Sequence, residues 1–459
     1  MKKLFGDKAF YKRLLLLMLP IMVQNGITNF VNMLDNIMIG QVGTPEMTGV
    51  AISNQLIFVF NLCIFGAVSG AGIFGAQYFG KGDYEGFRYT FRFKLVFGGL
   101  ITLLGLAVFL LGGGFLLERF MQGEQGLTDP VLTLQSAKDY LTVMLVGLFP
   151  FVVVQCYSGT LREAGRPNLP MVAGVIAVLV NLVGNYILIF GHFGAPKLGV
   201  QGAAVATVIS RFVELGIVVV ATHLQTKRYP FMKGALKSLY IPWALVKQLF
   251  LKSLPLMANE TLWSLGVTTV NVQYSLRGVD AVAAGNISQT FWNVFSIAYM
   301  AVGAAIAIIL GQMLGANKLK EAKEASYKLI TFAFLICAFF GALYFVVAKW
   351  IPLAYNTEQE IRELATNLMR ITAIAMPLDA ICHASYFTLR SGGKMAVTFI
   401  FDCGFMWGAN VLLAWLLCAF TSLPFLAVFA LVQSITVLKA FFGVLLVRNG
   451  FWVKNITTN

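Results

Sequence analysis

Three acidic side chains, Asp35, Glu260 and Asp379, fall inside apolar stretches that offer a charge no water. A carboxylate at the centre of a bilayer costs about 2.5–3.5 kcal/mol on insertion scales, so each of the three needs a compensating role. Facing an aqueous cleft, such a group can take up a proton, a sodium ion or a cationic solute, but only one at a time. That exclusion is the physical core of exchange: the ion releases the solute, and the solute releases the ion. Glu260 lies eight residues past Lys252, and Asp379 falls about halfway along its own stretch. Asp35 follows Arg13 by 22 residues, roughly 33 Å on an ideal helix, which places it in the outer part of a long first span.

Other polar residues surround these acids in the sequence. His383 stands one turn after Asp379 on the same helix face, where it could tune or relay a proton or simply bond to a neighbour. Pro377, just before the acid, should loosen the helix and free a carbonyl nearby; Pro20 of the first span is a candidate modulator alongside Pro377 and His383. Asn181 and Asn185, one turn apart, and Thr207 could help Asp35 coordinate a hard cation, although hydrogen bonding between helices explains them equally well. Arg211 with Glu214 at i+3 reads as a locally neutralised pair, and Lys439 with Asp402 as a structural one. The six cysteines fall singly, with neither a disulfide framework nor zinc-ligand spacing. His192, His223 and His383 are dispersed, and neither a clustered nucleophile nor a phosphate-binding loop accompanies them. Those features argue against a membrane-embedded enzyme and against a nucleotide-driven pump, and no cofactor is expected.

The elements that position these groups are set by hydropathy. Apolar residues make up 58% of the chain, charged residues 12%, and the mean hydropathy is +0.78, which places most of it in lipid. About 20 helical residues cross a bilayer core, and helices are predicted near 14–43, 50–72, 95–117, 139–159, 171–191, 200–222, 250–276, 281–309, 328–350, 370–389, 396–420 and 425–447. The first stretch is too long for a signal-peptide core and is expected to remain as helix one. Most of the 34 lysines and arginines gather on alternate connections: Lys2 to Arg13, Lys81 to Lys94, Arg162 and Arg166, Lys227 to Lys252, Lys318 to Lys328, Arg390 and Lys394, and Lys439 to Lys454. This puts both termini in the cytoplasm. The net charge of +14 is thereby a topological signal, and no nucleic-acid partner is expected.

The chain also repeats. An offset of 235 superposes Leu19-Pro20 on Leu254-Pro255, Gly43 on Gly278, Ile52-Ser53 on Ile287-Ser288, Gln77 on Gln312 and Gly80 on Gly315. Further on, an offset of 228 matches Leu161-Arg162 to Leu389-Arg390, Gly165 to Gly393, Pro196 to Pro424 and Arg211 to Lys439. The change of offset is expected in an outer loop from Gly112 to Lys138. Six spans per repeat make the halves parallel, related by an axis along the membrane normal. The expected fold is an all-α integral membrane protein of twelve transmembrane helices in two pseudo-symmetric lobes, 1–232 and 233–459.

Several motifs recur in a fixed order: Pro20 followed by Asp35-Asn-Ile-Met-Ile-Gly40, Gly75-Ala-Gln-Tyr-Phe-Gly-Lys-Gly-Asp83, Leu161-Arg-Glu-Ala-Gly-Arg-Pro167, Asn181-Leu-Val-Gly-Asn-Tyr-Ile-Leu-Ile-Phe-Gly191, Gly199-Val-Gln-Gly-Ala-Ala-Val-Ala-Thr207 and Leu389-Arg-Ser-Gly-Gly393. From about Lys8 to Val447 the sequence resembles the multidrug and toxic compound extrusion (MATE) family, in particular its NorM-like bacterial members. The resemblance implies a V-shaped pair of lobes in the inner membrane, working by rocker-switch exchange of organic cations for sodium ions or protons. It implies that Glu260 and Asp379 form the second-lobe cation pair, able to hold Na+, and that Asp35 is the first-lobe acid with Asn181 and Thr207 as polar partners. Asn185 stands where several members carry an aspartate, and Ala375 where some sodium-driven members carry a tyrosine, so the coupling ion stays open between sodium and protons. Small cationic amphipaths and membrane lipid are the expected partners, and a monomer the expected state. A lipid or lipid-linked oligosaccharide flippase and, from a different class, a membrane-embedded enzyme are the alternatives; flippases favour cationic clefts, whereas the conspicuous groups here are acids.

Overall fold

The computed structural model describes residues 4–121, 129–355 and 357–457. Lys2, Lys3 and residues 122–128 of the expected outer loop lie outside the described residues. Among the described residues the regular structure is entirely helical. We number the helices α1 (Lys8–Gly40), α2 (Thr44–Lys81), α3 (Tyr84–Met121), α4 (Pro130–Val146), α5 (Leu148–Glu163), α6 (Asn168–Phe190), α7 (Gly199–Leu224), α8 (Trp243–Ser275), α9 (Val279–Phe295), α10 (Ile297–Gly315), α11 (Leu319–Val347), α12 (Gln359–Ser391), α13 (Met395–Phe420) and α14 (Phe425–Asn449).

These bounds reproduce the sequence repeat. Adding 235 to the limits of α1 gives those of α8, and adding 235 to α2 gives the span of α9 and α10 to within one residue. Adding 228 to the bent pair α4–α5 gives α12, again to within one residue. Turn chemistry repeats as well. Gly82 and its counterpart Asn317 both adopt left-handed backbone, at φ +80° and +59°. The amide that follows each of them reaches back to a carbonyl in the last turn of the helix, Asp83 N to Tyr78 O and Lys318 N to Met313 O, each at 3.0 Å. Glycine or asparagine is what that stop requires.

Among the described residues nine helices are long and apolar enough to cross a bilayer, and α4–α5, bent by 49° at Gly147, makes a tenth span. The two further long helices, α8 and α12, are less apolar because they carry Asn259 and Glu260, and Asp379, His383 and Arg390. Twelve spans follow, six in each repeat. Compared with the predicted limits, most helices run past their apolar centres, since polar residues at the membrane surface extend the same hydrogen-bond ladder. Gly112 to Met121, expected as loop, continues α3. The predicted fourth and eighth spans are each broken once, at Gly147 and at Ser296. π-turns over residues 400–411 interrupt α13.

The chain divides into two compact units: Val23–Gly75 with Tyr84–Met257, and Met1–Met22 with Ala76–Asp83 and Ala258–Asn459. Within the first, Lys94 Nζ lies 2.6 Å from the Glu163 carboxylate and 3.1 Å from Thr160 Oγ1, with the lysine side chain fully buried. Isolating either member would leave a charge without compensation. Arg211, expected to pair with Glu214, points Nη1 at the Gly147 carbonyl, 3.0 Å away, where the bend exposes an acceptor.

The second unit is held together by a core that includes Leu14, Met18, Ala305, Ile309, Met376 and Trp452. The ends of α2 and α10 meet backbone to backbone: a Cβ at Gly80 would collide with Gln312, and one at Gly315 with Gln77. The same Gln312 receives Arg13 Nη2 at 2.6 Å. Residues beyond α14 fold back onto this contact. Trp452 is completely buried, Ile456 N donates to Gln77 Oε1 at 2.8 Å, and Asn455 Nδ2 donates to the Gly315 carbonyl at 3.2 Å.

Candidate functional site

The first constellation forms where the outer part of α1 meets α6 and α7. Asparagines one turn apart on α6 face one way, and Thr207 on α7 faces them because small residues let the two helices approach closely. Asn185 Nδ2 donates to Asp35 Oδ1 at 2.6 Å. The Asn181 amide satisfies both of its neighbours in one orientation, Nδ2 donating to Asp35 Oδ2 at 2.9 Å and its oxygen accepting from Thr207 Oγ1 at 3.1 Å. Both asparagines are buried, Asp35 is half-buried, and Asn185 Oδ1 is a buried acceptor with no donor. A half-buried carboxylate next to an unused amide oxygen matches the oxygen-only donor set that a hard cation selects. The structure therefore gathers Asp35, Asn181, Asn185 and Thr207 into one cluster.

The second constellation belongs to α8, α12, α13 and α14. Glu260 Oε1 accepts from the Tyr386 hydroxyl at 3.3 Å and lies 3.9 Å from Arg390 Nη1. The neighbouring Asn259 Nδ2 donates to Tyr386 at 3.3 Å and to Asp402 Oδ2 at 3.1 Å. Lys439 Nζ closes the chain on Asp402 Oδ1 at 2.6 Å, the pairing that the sequence suggested. Asp379 has a different surrounding: Gln433 Nε2 donates to its Oδ2 at 3.4 Å. Glu260 and Asp379 share no hydrogen-bond partner among the described residues. His383, half-buried, packs edge-on to Tyr299 and Phe387 at 5.0 and 4.9 Å between ring centres. Pro377 lies within an unbroken α12, and the Ala373 carbonyl one turn before it faces Gly341 of α11. Pro20 is likewise inside a continuous helix and buried.

Asp35 and Asp379 have one property in common. Among the described residues no lysine, arginine or histidine nitrogen comes within 4.0 Å of either carboxylate, whereas Glu260, Asp402 and Glu163 each have such a partner. No group of three or more His, Cys, Asp and Glu side chains suited to a metal ion occurs among the described residues.

Tyr386, Asn259, Gln433 and Arg390 escaped the sequence reading. Arg390 was readable in principle. It is the repeat counterpart of Arg162, which donates through Nη2 to Gln24 Oε1 at 2.7 Å. Gln24 in turn is the counterpart of Asn259. Each half thus directs an arginine from its fourth span at its first, and only the second half sets an acid there. Taken as a loop base, Arg390 is in fact 98% buried. Tyr386 and Gln433 carry no comparable signal, because one polar residue on a membrane helix has no partner until the helices pack.

The MatE family profile matches residues 20–187 and 255–416, two copies whose starts are 235 residues apart. The probable multidrug resistance protein NorM of Thermotoga maritima is 27% identical over 455 residues, covering 96% of this chain and 93% of its own. The probable multidrug resistance protein YoeA of Bacillus subtilis is 24% identical, covering 92% and 89%. Among solved structures, the outward-facing conformation of a multidrug resistance MATE family transporter of the MOP superfamily aligns with a TM-score of 0.84 over 98% of both chains at 18% identity, a likeness of fold.

Proposed function

The chain belongs to the MatE family and is a NorM-like transporter rather than an enzyme, and from that premise we propose that it exports small organic cations by antiport against Na+ or H+. In this reading it is a monomeric exporter of the bacterial inner membrane with both termini in the cytoplasm. The lobes 1–232 and 233–459 alternate access by a rocker-switch. The relatives named for multidrug resistance support the class of cargo. The exchange mechanism rests on one observation: Asp35 and Asp379 are acids on membrane helices whose hydrogen-bond donors are neutral, asparagine amides for Asp35 and the Gln433 amide with the Thr436 hydroxyl for Asp379.

A carboxylate so placed is stabilised when a cation or proton joins it. Asp35, with Asn181, Asn185 and Thr207 around it, is the first-lobe coupling group. Asp379 is its second-lobe counterpart and the more exchangeable member of the Glu260–Asp379 pair, because Arg390 already balances part of the Glu260 charge. Pro20, Pro377 and His383 shape these sites rather than bind cargo. Acids in these positions favour positively charged solutes over the anionic pyrophosphate of a lipid-linked sugar.

The test is transport in everted vesicles. Ethidium uptake should follow an imposed sodium or proton gradient, and Asp35→Asn and Asp379→Asn should each reduce the gradient-driven rate at least about 100-fold, the scale of losing a charged group's interaction. Glu260→Gln should impair it too. Unchanged gradient-driven transport in the two aspartate variants, at normal abundance, would refute the assignment.

A further inference from the structure

The segment between α7 and α8 has a physical character that transport does not use. From Leu215 to Asn259 the sequence contains no Asp or Glu but holds Lys227, Arg228, Lys233, Lys237, Lys247 and Lys252. It is not a loose tether. Tyr229, Phe231 and Met232 are buried, with the Phe231 ring edge-on to Phe87 at 5.3 Å. Two arginines of α3 clamp its backbone: Arg88 Nε donates to the Phe231 carbonyl at 3.0 Å, and Arg92 donates to the carbonyls of Ala235 at 2.7 Å and Tyr240 at 3.0 Å.

Held in this way, the segment turns four of its other large side chains outward. Leu236, Leu239, Tyr240 and Trp243 are between 48 and 77% exposed. Lys227, Arg228, Lys233, Lys237 and Lys247 are exposed among them. The acid near this surface, Glu85, accepts from the Tyr89 hydroxyl at 2.6 Å, and Tyr89 in turn packs edge-on to Tyr240 at 6.5 Å. In water a fixed array of leucines beside a tryptophan would be unfavourable. At a membrane surface the same array is at rest, with aromatic rings at headgroup depth, lysine stems along the acyl boundary and ammonium groups among phosphates.

We propose that residues 227–247 form a lipid-binding surface that seats anionic phospholipid headgroups of the cytoplasmic leaflet. The apolar side chains fix its depth, and the five exposed bases, with no acid within the segment to compete, select the negative headgroup. The arginine clamp from α3 matters because it orders the segment before lipid arrives, so that little conformational entropy is lost on binding.

Trp243 reports on this directly. Reconstituted protein is compared with its Trp243→Phe variant in phosphatidylcholine vesicles containing equal fractions of either dibrominated phosphatidylglycerol or dibrominated phosphatidylcholine. The difference spectrum isolates Trp243 from the other six tryptophans. Quenching should be at least about threefold stronger with the brominated anionic lipid, and the preference should fade as salt screens the lysines. A Lys227→Gln/Lys233→Gln/Lys237→Gln/Lys247→Gln variant should quench equally with both lipids. Equal quenching in the unmodified protein would mean apolar insertion without headgroup selection, and no quenching with either lipid an aqueous segment; either result overturns the proposal. The headgroup comparison needs only the unmodified chain and one exposed substitution, so it stands even if the quadruple variant folds poorly.

Discussion

At the residue scale the membrane acids fall into two kinds. Asp402 is tied to Lys439 at 2.6 Å and Glu163 to Lys94 at 2.6 Å, so each has its counter-charge inside the protein. Asp35 and Asp379 are met by neutral amides and, at Asp379, by the Thr436 hydroxyl as well. This distinction predicts opposite behaviour under mutation. Lys439→Met alone should destabilise the protein by about 3–5 kcal/mol by stranding Asp402, read as a lower melting temperature in detergent. Combining it with Asp402→Leu should recover most of that loss and leave gradient-driven efflux within about threefold of normal, since well-packed apolar groups replace an ion pair at little cost. Loss of coupling in the double variant at recovered stability would make Asp402 a transport residue. Sequence singled out Asp35, Asp379 and Asp402 among these acids and suggested the Lys439 partner. It set Arg211 beside Glu214 but did not show that the guanidinium also donates to the Gly147 carbonyl, because spacing along one helix does not reveal an orphan carbonyl on another.

At the element scale, the spans that carry chemistry depart from plain hydrophobic helices. α8 and α12 are less apolar than their neighbours, α4–α5 bends, and π-turns in α13 bring Asp402 toward α8 and α14. A π-turn widens a helix by one residue and often marks a functional position; no periodicity in the apolar sequence announces it. The close crossing of α2 and α10 gives a prediction of its own. Gly80 and Gly315 each oppose the backbone of the other helix, where no side chain fits. Gly80→Ala and Gly315→Ala should each destabilise by about 1–3 kcal/mol, the usual cost of overpacking, and circular dichroism melts would register it. The control Gly285→Ala, at a position open to space on α9, should be neutral or slightly stabilising. Equal melting temperatures for all three would remove the crossing as a structural constraint. The repeat in the sequence did point here, since Gly80 and Gly315, and Gln77 and Gln312, are counterparts, but the repeat alone does not bring counterparts into contact.

For the whole molecule, duplication and charge bias make one joint prediction: an even number of spans with both ends on the basic side. Reporter fusions active only in the cytoplasm should report at the N-terminus, after Leu239 and at the C-terminus, and fail after Lys197 and Lys349. A reporter active in the cytoplasm at Lys349 would break the twelve-span reading. Composition, hydropathy and the offsets of 235 and 228 by themselves determined the membrane class, the number of spans and the pairing of helices between halves, because those properties follow from solvent and chain length, which every residue registers locally. Only the tertiary structure decided that Asp35 sits between two asparagine amides, that Arg390 lies beside Glu260, that Gln433 meets Asp379, and that the 227–247 segment is clamped with Leu236 and Leu239 outward. Those are contacts between residues 50 to 150 positions apart in the chain, and in a bilayer such contacts are chosen by how helices pack and by where a buried polar group finds its partner, which the sequence of any one helix does not record.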